Sequence, residues 1–475
     1  MSKLAYDVYA RAPLAIQNVL VSMQGWVYRY RRCENRVLVS AYADLMKSQF
    51  WSEDQFTSHQ SPQLRELLTH AFTSVPHYID LRRQLQCDPE DFRTVEDLRR
   101  LPILEKQQLR GSEPRFRSTK YPDGICNSCH TSGTTGTPIT TFETRASFAR
   151  RWAFVARLRN WAGVSNPFYP RRAQFTGRDI TSGKRKPIYW RRNYPGNALL
   201  LSTTNISRDS VAGYAKALRE FRPELVEGYP SALRILARMA ATEGHDLPKV
   251  RAVIVSSETV SDATRTEIEA AFGCRSYNQY AASEPSCFWC DCEHGVMHEN
   301  SEYGMSEILD ENGNDVGPGE HGEVVVTSFL NPAMPLIRYR LGDIAVRGSK
   351  TRCSCGRSMP RIESVLGRRD DVLTIPGRGH IGRMDPVFKG VTKIIESQIV
   401  QDSFERIRVL VVPAEGYSSE VEHKLRTNIV KKVGADITVD IIKVAAIPRG
   451  ANGKFRSVVS HVKPSISYPD VEPYV

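Results

Sequence analysis

The pattern of apolar and polar positions changes character along the chain. The first hundred residues carry apolar side chains three and four apart, the spacing of helices that bury one face, with the polar stretch 57–63 expected as a break. From about Tyr121 short strands alternate with helices. A helix is predicted over 209–221, stopped by Pro223, and a second opens at Pro230 and closes at Gly244. Residues 250–255 form a mostly apolar run, as in a strand buried on both faces. The next helix spans 262–272, ended by Gly273, and a strand follows over 275–280. Strands and helices in this order define a parallel α/β layer.

Residues 302–346 read differently, as short β pieces separated by Asn312-Gly313-Asn314 and Gly317-Pro318-Gly319, the turn chemistry of hairpins. A small barrel or side sheet is expected there. After Gly367 comes a glycine- and charge-rich stretch, then a strand at 407–412 and a strand at 437–444 around one helix. Ser419 and Glu422 fit a capping box for that helix, Val421, Leu425, Ile429 and Val433 share one face of it at four-residue spacing, and Gly434 ends it. The expected fold class is therefore α/β: a large domain over 1–367, helical in its first hundred residues, and a small α+β domain over 368–475.

A chain of 475 residues with 41% hydrophobic and 25% charged positions is an ordinary globular composition, which excludes a disordered chain, a collagen-like rod and a small disulfide scaffold. The net charge of +12 is concentrated in one window: between Arg145 and Arg192 there are thirteen basic residues against Asp179 alone. An anionic ligand of this window, such as phosphates or an acidic saccharide or lipid-linked acid, is one reading. A solvated basic face is another. Aromatics interleaved in the window (Trp152, Phe154, Trp161, Phe168, Tyr169, Trp190) also suit a basic nucleic-acid-binding module, which lacks any accompanying RNA-binding signature.

No stretch has the ~18–20 uninterrupted apolar residues of a spanning helix, and residues 12–28 have no cleavage pattern of a signal peptide. A cytoplasmic protein is expected. The same N-terminal stretch can form an amphipathic helix, either docked on the protein's own core or in peripheral contact with a membrane surface. Ten cysteines in short paired spacings suggest a metal site or free core thiols rather than disulfides.

The most specific feature is His130-Thr131-Ser132-Gly133-Thr134-Thr135-Gly136-Thr137-Pro138. Its hydroxyls and close-approaching backbone N–H groups suit phosphate oxygens, and no Lys-Ser/Thr pair makes it a common P-loop. This stretch resembles the signature loop of the adenylate-forming superfamily, and the chain resembles most closely its phenylacetate–CoA ligase branch, including homologues from capsule and polysaccharide gene clusters. In that family the loop clamps the ATP phosphates, which implies roles for Thr131, Ser132, Gly133, Thr134, Thr135 and Gly136.

Further segments carry the resemblance. Ser256-Ser257-Glu258-Thr259 is similar to the segment lining adenine, implying Ser257 and Glu258 at the nucleotide. Tyr280-Ala281-Ala282-Ser283-Glu284 is similar to the family's Y-G-x-S/T-E motif, implying that Tyr280 stacks on adenine, Ser283 contacts the α-phosphate and Glu284 holds Mg²⁺. Tyr339-Arg340-Leu341-Gly342-Asp343 implies a ribose-binding Asp343, and Gly367-Arg368-Arg369-Asp370 implies a nucleotide contact at Arg368 and a domain pivot at Asp370. Near the end, the Gly453-Lys454 loop implies that Lys454 bridges the acyl carboxylate and the α-phosphate. Gly228-Tyr229-Pro230-Ser231 falls where the family lines its acyl pocket, which places Tyr229, Pro230 and Ser231 at a small carboxylic acid.

The implied activity is ATP- and Mg²⁺-dependent carboxylate activation through an acyl-adenylate, with transfer to CoA or another acceptor. Some branch members bind zinc through a similar Cys/His set. The corresponding ligands here are Cys292, His298, Cys353 and Cys355, with Cys290 as a substitute, against the alternative of free core thiols.

Overall fold

The structure is a computed structural model that describes residues 9, 12–32, 36–94, 96–122, 126–130, 139–176, 188–368, 373–375, 379–381, 384–388, 391, 393–449 and 455–462. Two compact units emerge. The first holds the described residues up to Leu341 with Ala345–Val365, and the second holds Gly342–Ile344 with the described residues from Leu366 onward.

The chain opens with helices α1 (Leu14–Arg32), α2 (Arg36–Ser48), α3 (Glu53–Ser74) and α4 (Pro76–Leu85), then the single turn α5 (Lys106–Leu109). The break expected at 57–63 does not occur, because α3 runs through it and carries Pro62 inside. Ser52 and Gln55 form a capping box at its start, and Phe56, Leu64, Leu67, Leu68, Ala71 and Phe72 bury one face. The polar residues occupy other positions on the helix: Gln60 Nε2 donates to the Ser301 carbonyl at 2.8 Å and Ser61 Oγ to the Thr57 carbonyl at 3.0 Å. An interior proline costs about 3 kcal/mol. The buried row offsets it, so packing overrides the local signal.

Strands β1 (Asn127–His130) and β2 (Thr140–Glu143) pair antiparallel, with His130 opposite Thr140. Helix α6 (Arg145–Trp161) follows. Next come β3 (Arg172–Thr176), β4 (Trp190–Asn193), β5 (Ala198–Ser202), α7 (Arg208–Phe221), β6 (Leu225–Gly228), α8 (Pro230–Thr242), β7 (Ala252–Ser256), α9 (Asp262–Phe272) and β8 (Ser276–Ala281). β5, β3, β6, β7 and β8 are parallel neighbours in that order, with β4 antiparallel at the outer edge. The apolar run at β7 has a direct cause. Val253 and Val255 pack with α7, α8 and α9, whereas Ala252 and Ile254 pack with α2 and α6 on the opposite face.

β9 (Phe288–Asp291), β10 (Met297–Glu299), β11 (Gly304–Leu309), β12 (His321–Ser328), β13 (Tyr339–Arg347) and β14 (Arg361–Arg368) complete a twelve-stranded sheet in the order 11-12-13-14-10-9-8-7-6-3-5-4. The β-rich stretch is thus a side sheet continuous with the parallel layer.

The second unit contains β15 (Leu373–Ile375) and β16 (Gly379–Ile381), then β17 (Ile394–Ser403), β18 (Arg406–Pro413), α10 (Ser419–Val433), β19 (Thr438–Lys443) and β20 (Val458–Ser460). Its four-stranded sheet has the order 19-18-17-20. Leu425, Ile429 and Val433 of α10 pack into the same core as Ile407, Val409 and Val411 of β18. The cap differs from expectation by one residue: Ser418, in an extended conformation, accepts from Val421 N, and Ser419 is already the first helical residue.

Candidate active site

The C-terminal ends of β6, β7 and β8 lie side by side. Open parallel sheets bind ligands at such ends. Beyond β6, Tyr229 is the N-cap of α8 and Pro230 its first residue, a place where the missing N–H costs nothing. Ser231 donates to Glu258 twice, from its backbone N and from Oγ, each at 3.0 Å. A carboxylate beyond β7 therefore sits on the positive end of α8, which ties the Tyr229–Ser231 segment to the Ser257–Glu258 segment. Ser257 has φ 73°, a left-handed conformation that costs a non-glycine residue of order 1 kcal/mol or more. Tyr280 lies in β8 one residue from its end, with its ring 4.6 Å from that of Trp289, and Ser283 is exposed.

Glu284 is different: its carboxyl is buried, with 6% residual exposure. Its Oε1 accepts from Lys106 Nζ at 3.0 Å and from the Tyr339 hydroxyl at 3.2 Å. A buried carboxylate is stable only when paired and hydrogen-bonded, and here both are supplied. A hard divalent cation prefers carboxylate oxygens, so Glu284 suits Mg²⁺ as one ligand, with the Lys106 ammonium standing at the same oxygen. Sequence reasoning missed Lys106. It comes from α5, a four-residue turn, and a lone lysine 178 positions away carries no pattern. Tyr339 stood inside a quoted motif without a reading of its hydroxyl.

Other expected residues are brought together in the second unit, where Arg368 Nε lies 3.8 Å from Asp343 Oδ1. Thr131, Ser132, Gly133, Thr134, Thr135 and Gly136, together with Asp370 and Lys454, lie outside the described residues.

The cysteine expectation can be examined atom by atom. Cys292, His298, Cys353 and Cys355 are all buried, and one ligand atom from each lies within 4.8 Å of every other. Cys292 Sγ is 3.9 Å from Cys353 Sγ, and Cys355 Sγ is 3.4 Å from His298 Nε2. Tetrahedral zinc with Zn–S of about 2.3 Å separates its sulfur ligands by roughly 3.8 Å, so the spacing fits. His298 Nδ1 lies 3.1 Å from the Met359 carbonyl, the outer hydrogen bond that orients a metal-binding imidazole and leaves Nε2 facing the thiols. Cys290, the substitute, is outside this group: its sulfur accepts from Asn300 Nδ2 at 3.5 Å, and burial pushes its thiol up to about 12.

The basic window is not one anion-facing surface. Arg151 pairs with Glu143 at 2.9 Å, Arg159 with Glu227 at 2.6 Å and Arg172 with Glu227 at 3.4 Å. Arg157 is fully buried, pairs with Glu302 at 2.7 Å and donates to the Leu45 carbonyl at 3.1 Å. Arg191 is buried against Gln17. The excess is local in sequence, and in space Arg151, Arg157, Arg159 and Arg172 are paired with acids from outside the window. Arg178 and residues 184–186 lie outside the described residues.

The comparisons with known proteins set this sheet architecture beside that of acyl-CoA ligases. The family model described as AMP-binding enzyme matches residues 194–330, and that of the CapK C-terminal domain matches 373–461. Protein CapK of Staphylococcus aureus is 25% identical over 462 residues, covering 96% of this chain and 99% of the relative. Phenylacetate-coenzyme A ligase of Thermus thermophilus is 26% identical, covering 84% of this chain and 95% of the relative. The solved structure of a 2-hydroxyisobutyryl-CoA ligase with an acyl-AMP shares the fold with a TM-score of 0.69 at 19% identity, over 87% of this chain and 91% of that one. Over most of its length the chain is similar to AMP-binding enzymes of the phenylacetate–CoA ligase branch and to CapK, and these matches indicate an enzyme of the AMP-forming acid–thiol ligase class.

Proposed function

We propose that this protein condenses a small carboxylic acid with ATP to an acyl-adenylate, releasing pyrophosphate, and then passes the acyl group to the thiol of CoA, releasing AMP. The observation that carries the reading is that Tyr229, Glu258, Tyr280 and buried Glu284 stand at or just beyond the C-terminal ends of three adjacent parallel strands. Attack of the carboxylate on the α-phosphorus builds charge on phosphoryl oxygens, which fixed donors stabilise most effectively. In this reading Tyr280 lies against adenine, Ser283 donates to the α-phosphate, Asp343 accepts from the ribose diol and Arg368 contacts the nucleotide. Glu284 would hold Mg²⁺, which supplies charge neutralisation of the phosphates when bound. Roles for residues 131–136 at the phosphates and for Lys454 at the carboxylate rest on the resemblance, as does a pivot at Asp370. Acid-dependent ATP–pyrophosphate exchange, followed by product analysis with and without CoA, tests the two half-reactions.

A second acceptor class remains open on a specific observation: the C-terminal match is to the CapK domain, and the CapK relative is covered over nearly its whole length. An adenylate passed to an amine or hydroxyl of polysaccharide metabolism would then appear as an amide or ester formed without CoA. We also propose that Cys292, His298, Cys353 and Cys355 hold structural zinc. Purified wild type is expected to contain close to one zinc per chain and Cys355→Ser much less. Metal-free wild type of undiminished stability would remove the site.

A further inference from the structure

Helix α1 is attached by the wrong face for a helix that packs by apolar burial. Gln17 and Gly25 are buried, and the polar positions Asn18 and Ser22 face the edge strand β4 with them. Arg191 Nε donates to Gln17 Oε1 at 2.7 Å, Arg192 N donates to Asn18 Oδ1 at 3.0 Å and Tyr194 N donates to Ser22 Oγ at 3.2 Å. A Cβ on Gly25 would collide with the Asn193 side chain, so glycine is what allows this close approach. The docked stripe is therefore mostly polar, Val21 being its apolar member.

The opposite face is apolar and open. Ile16, Val19, Leu20, Met23 and Val27 recur at three- and four-residue spacing and are 41–60% exposed, with Trp26 at 57% and Tyr30 at 73% on the same side. At 100° per residue they cover an arc of about 120°. Scattered exposed apolar residues are normal, whereas a continuous stripe marks an interaction surface.

We propose that α1 seats the protein on an anionic membrane surface, lying in the plane of the interface. Charge selects this occupant. Helix α1 itself contains no acidic residue, Asp7 and Glu34 being the nearest in sequence, and it ends on Arg31 and Arg32, whereas Arg29 packs over the Tyr169 ring at 4.6 Å. A second copy packed helix to helix offers Arg31 and Arg32 no carboxylate from α1 itself, whereas anionic headgroups complement them. Trp26 and Tyr30, beside those arginines in sequence, are the side chains that favour the headgroup level. No helix of the described chain is long and apolar enough to cross a membrane, and the polar docked stripe of α1 fits a helix that lies on one.

The test uses the full chain and sedimentation with vesicles of phosphatidylcholine, with or without phosphatidylglycerol. Wild type is expected to sediment with the anionic vesicles and not with the neutral ones, with binding weakened by added salt. The triple variant Val19→Ser, Met23→Ser, Trp26→Ser should bind at least about tenfold more weakly, with unchanged ATP–pyrophosphate exchange and an unchanged urea midpoint. If the triple variant loses its fold, Arg31→Gln with Arg32→Gln provides the comparison, expected to weaken anionic binding severalfold. Absence of vesicle binding by well-folded wild type overturns the proposal. So does a wild-type dimer, seen by light scattering, that the same substitutions dissolve without any vesicle binding.

Discussion

Lys106 and Glu284 form a close charged contact at the candidate site, and it bears on metal binding. The ammonium, 3.0 Å from Oε1, occupies the side of the carboxylate where a divalent cation would supply the same neutralisation. If Glu284 is a Mg²⁺ ligand, the lysine competes with the metal for the same oxygen. Lys106→Met should then lower the Mg²⁺ concentration giving half-maximal pyrophosphate exchange, by severalfold. An unchanged Mg²⁺ titration in a folded Lys106→Met protein would show that the lysine does not compete at that oxygen. Glu284 stands in a motif that the sequence singles out. The partners that hold its carboxyl are not singled out in this way, because one lies in a short turn and the other contributes only a hydroxyl.

Two helices of the parallel layer are joined by a charge cluster whose strength depends on pH. Arg234 and Arg238 of α8 donate to Glu267 of α9, with Nε–Oε2 distances of 3.0 and 2.6 Å. Burial raises the Glu267 carboxyl, but the bonds from Arg238 and then Arg234 outweigh it and hold it at about 2 against the ordinary 4.5. A lowered folded-state value stabilises the protein above the unfolded value, so the contribution is complete above about pH 5 and is lost as pH falls toward 2. Discounted because Glu267 is 31% exposed, it amounts to about 1–2 kcal/mol. Glu267→Gln should therefore unfold at lower urea at pH 7, with the difference shrinking progressively below pH 4. A gap that stays constant from pH 7 to pH 3 would contradict the assignment. The elements that carry the pair were legible because strand, helix and glycine stop repeat cleanly from 208 to 281. The helix through Pro62 was not legible, because its apolar face gathers in the turns beyond the proline and local chemistry alone reads as a break.

Charge distribution shows where reading along the chain stops being informative about the molecule. Thirteen basic residues stand together in sequence, yet Glu143, Glu227 and Glu302, all outside the window, turn several of them into internal braces. No linear pattern announces such pairings, since they depend on how α6 folds against β2, β6 and the turn before β11. The four cysteine and histidine positions were legible for the opposite reason: few other residues compete for that chemistry, and the fold brings distant segments to one point. The central claim concerns adenylation. Its most direct measurement is ATP–pyrophosphate exchange across a panel of small carboxylic acids for wild type, Glu284→Gln and Lys454→Ala. The account predicts acid-dependent exchange in wild type, reduced at least about 100-fold in either variant. Exchange that either variant sustains at the wild-type rate, or a well-folded wild type with no exchange for any acid in the panel, would contradict it.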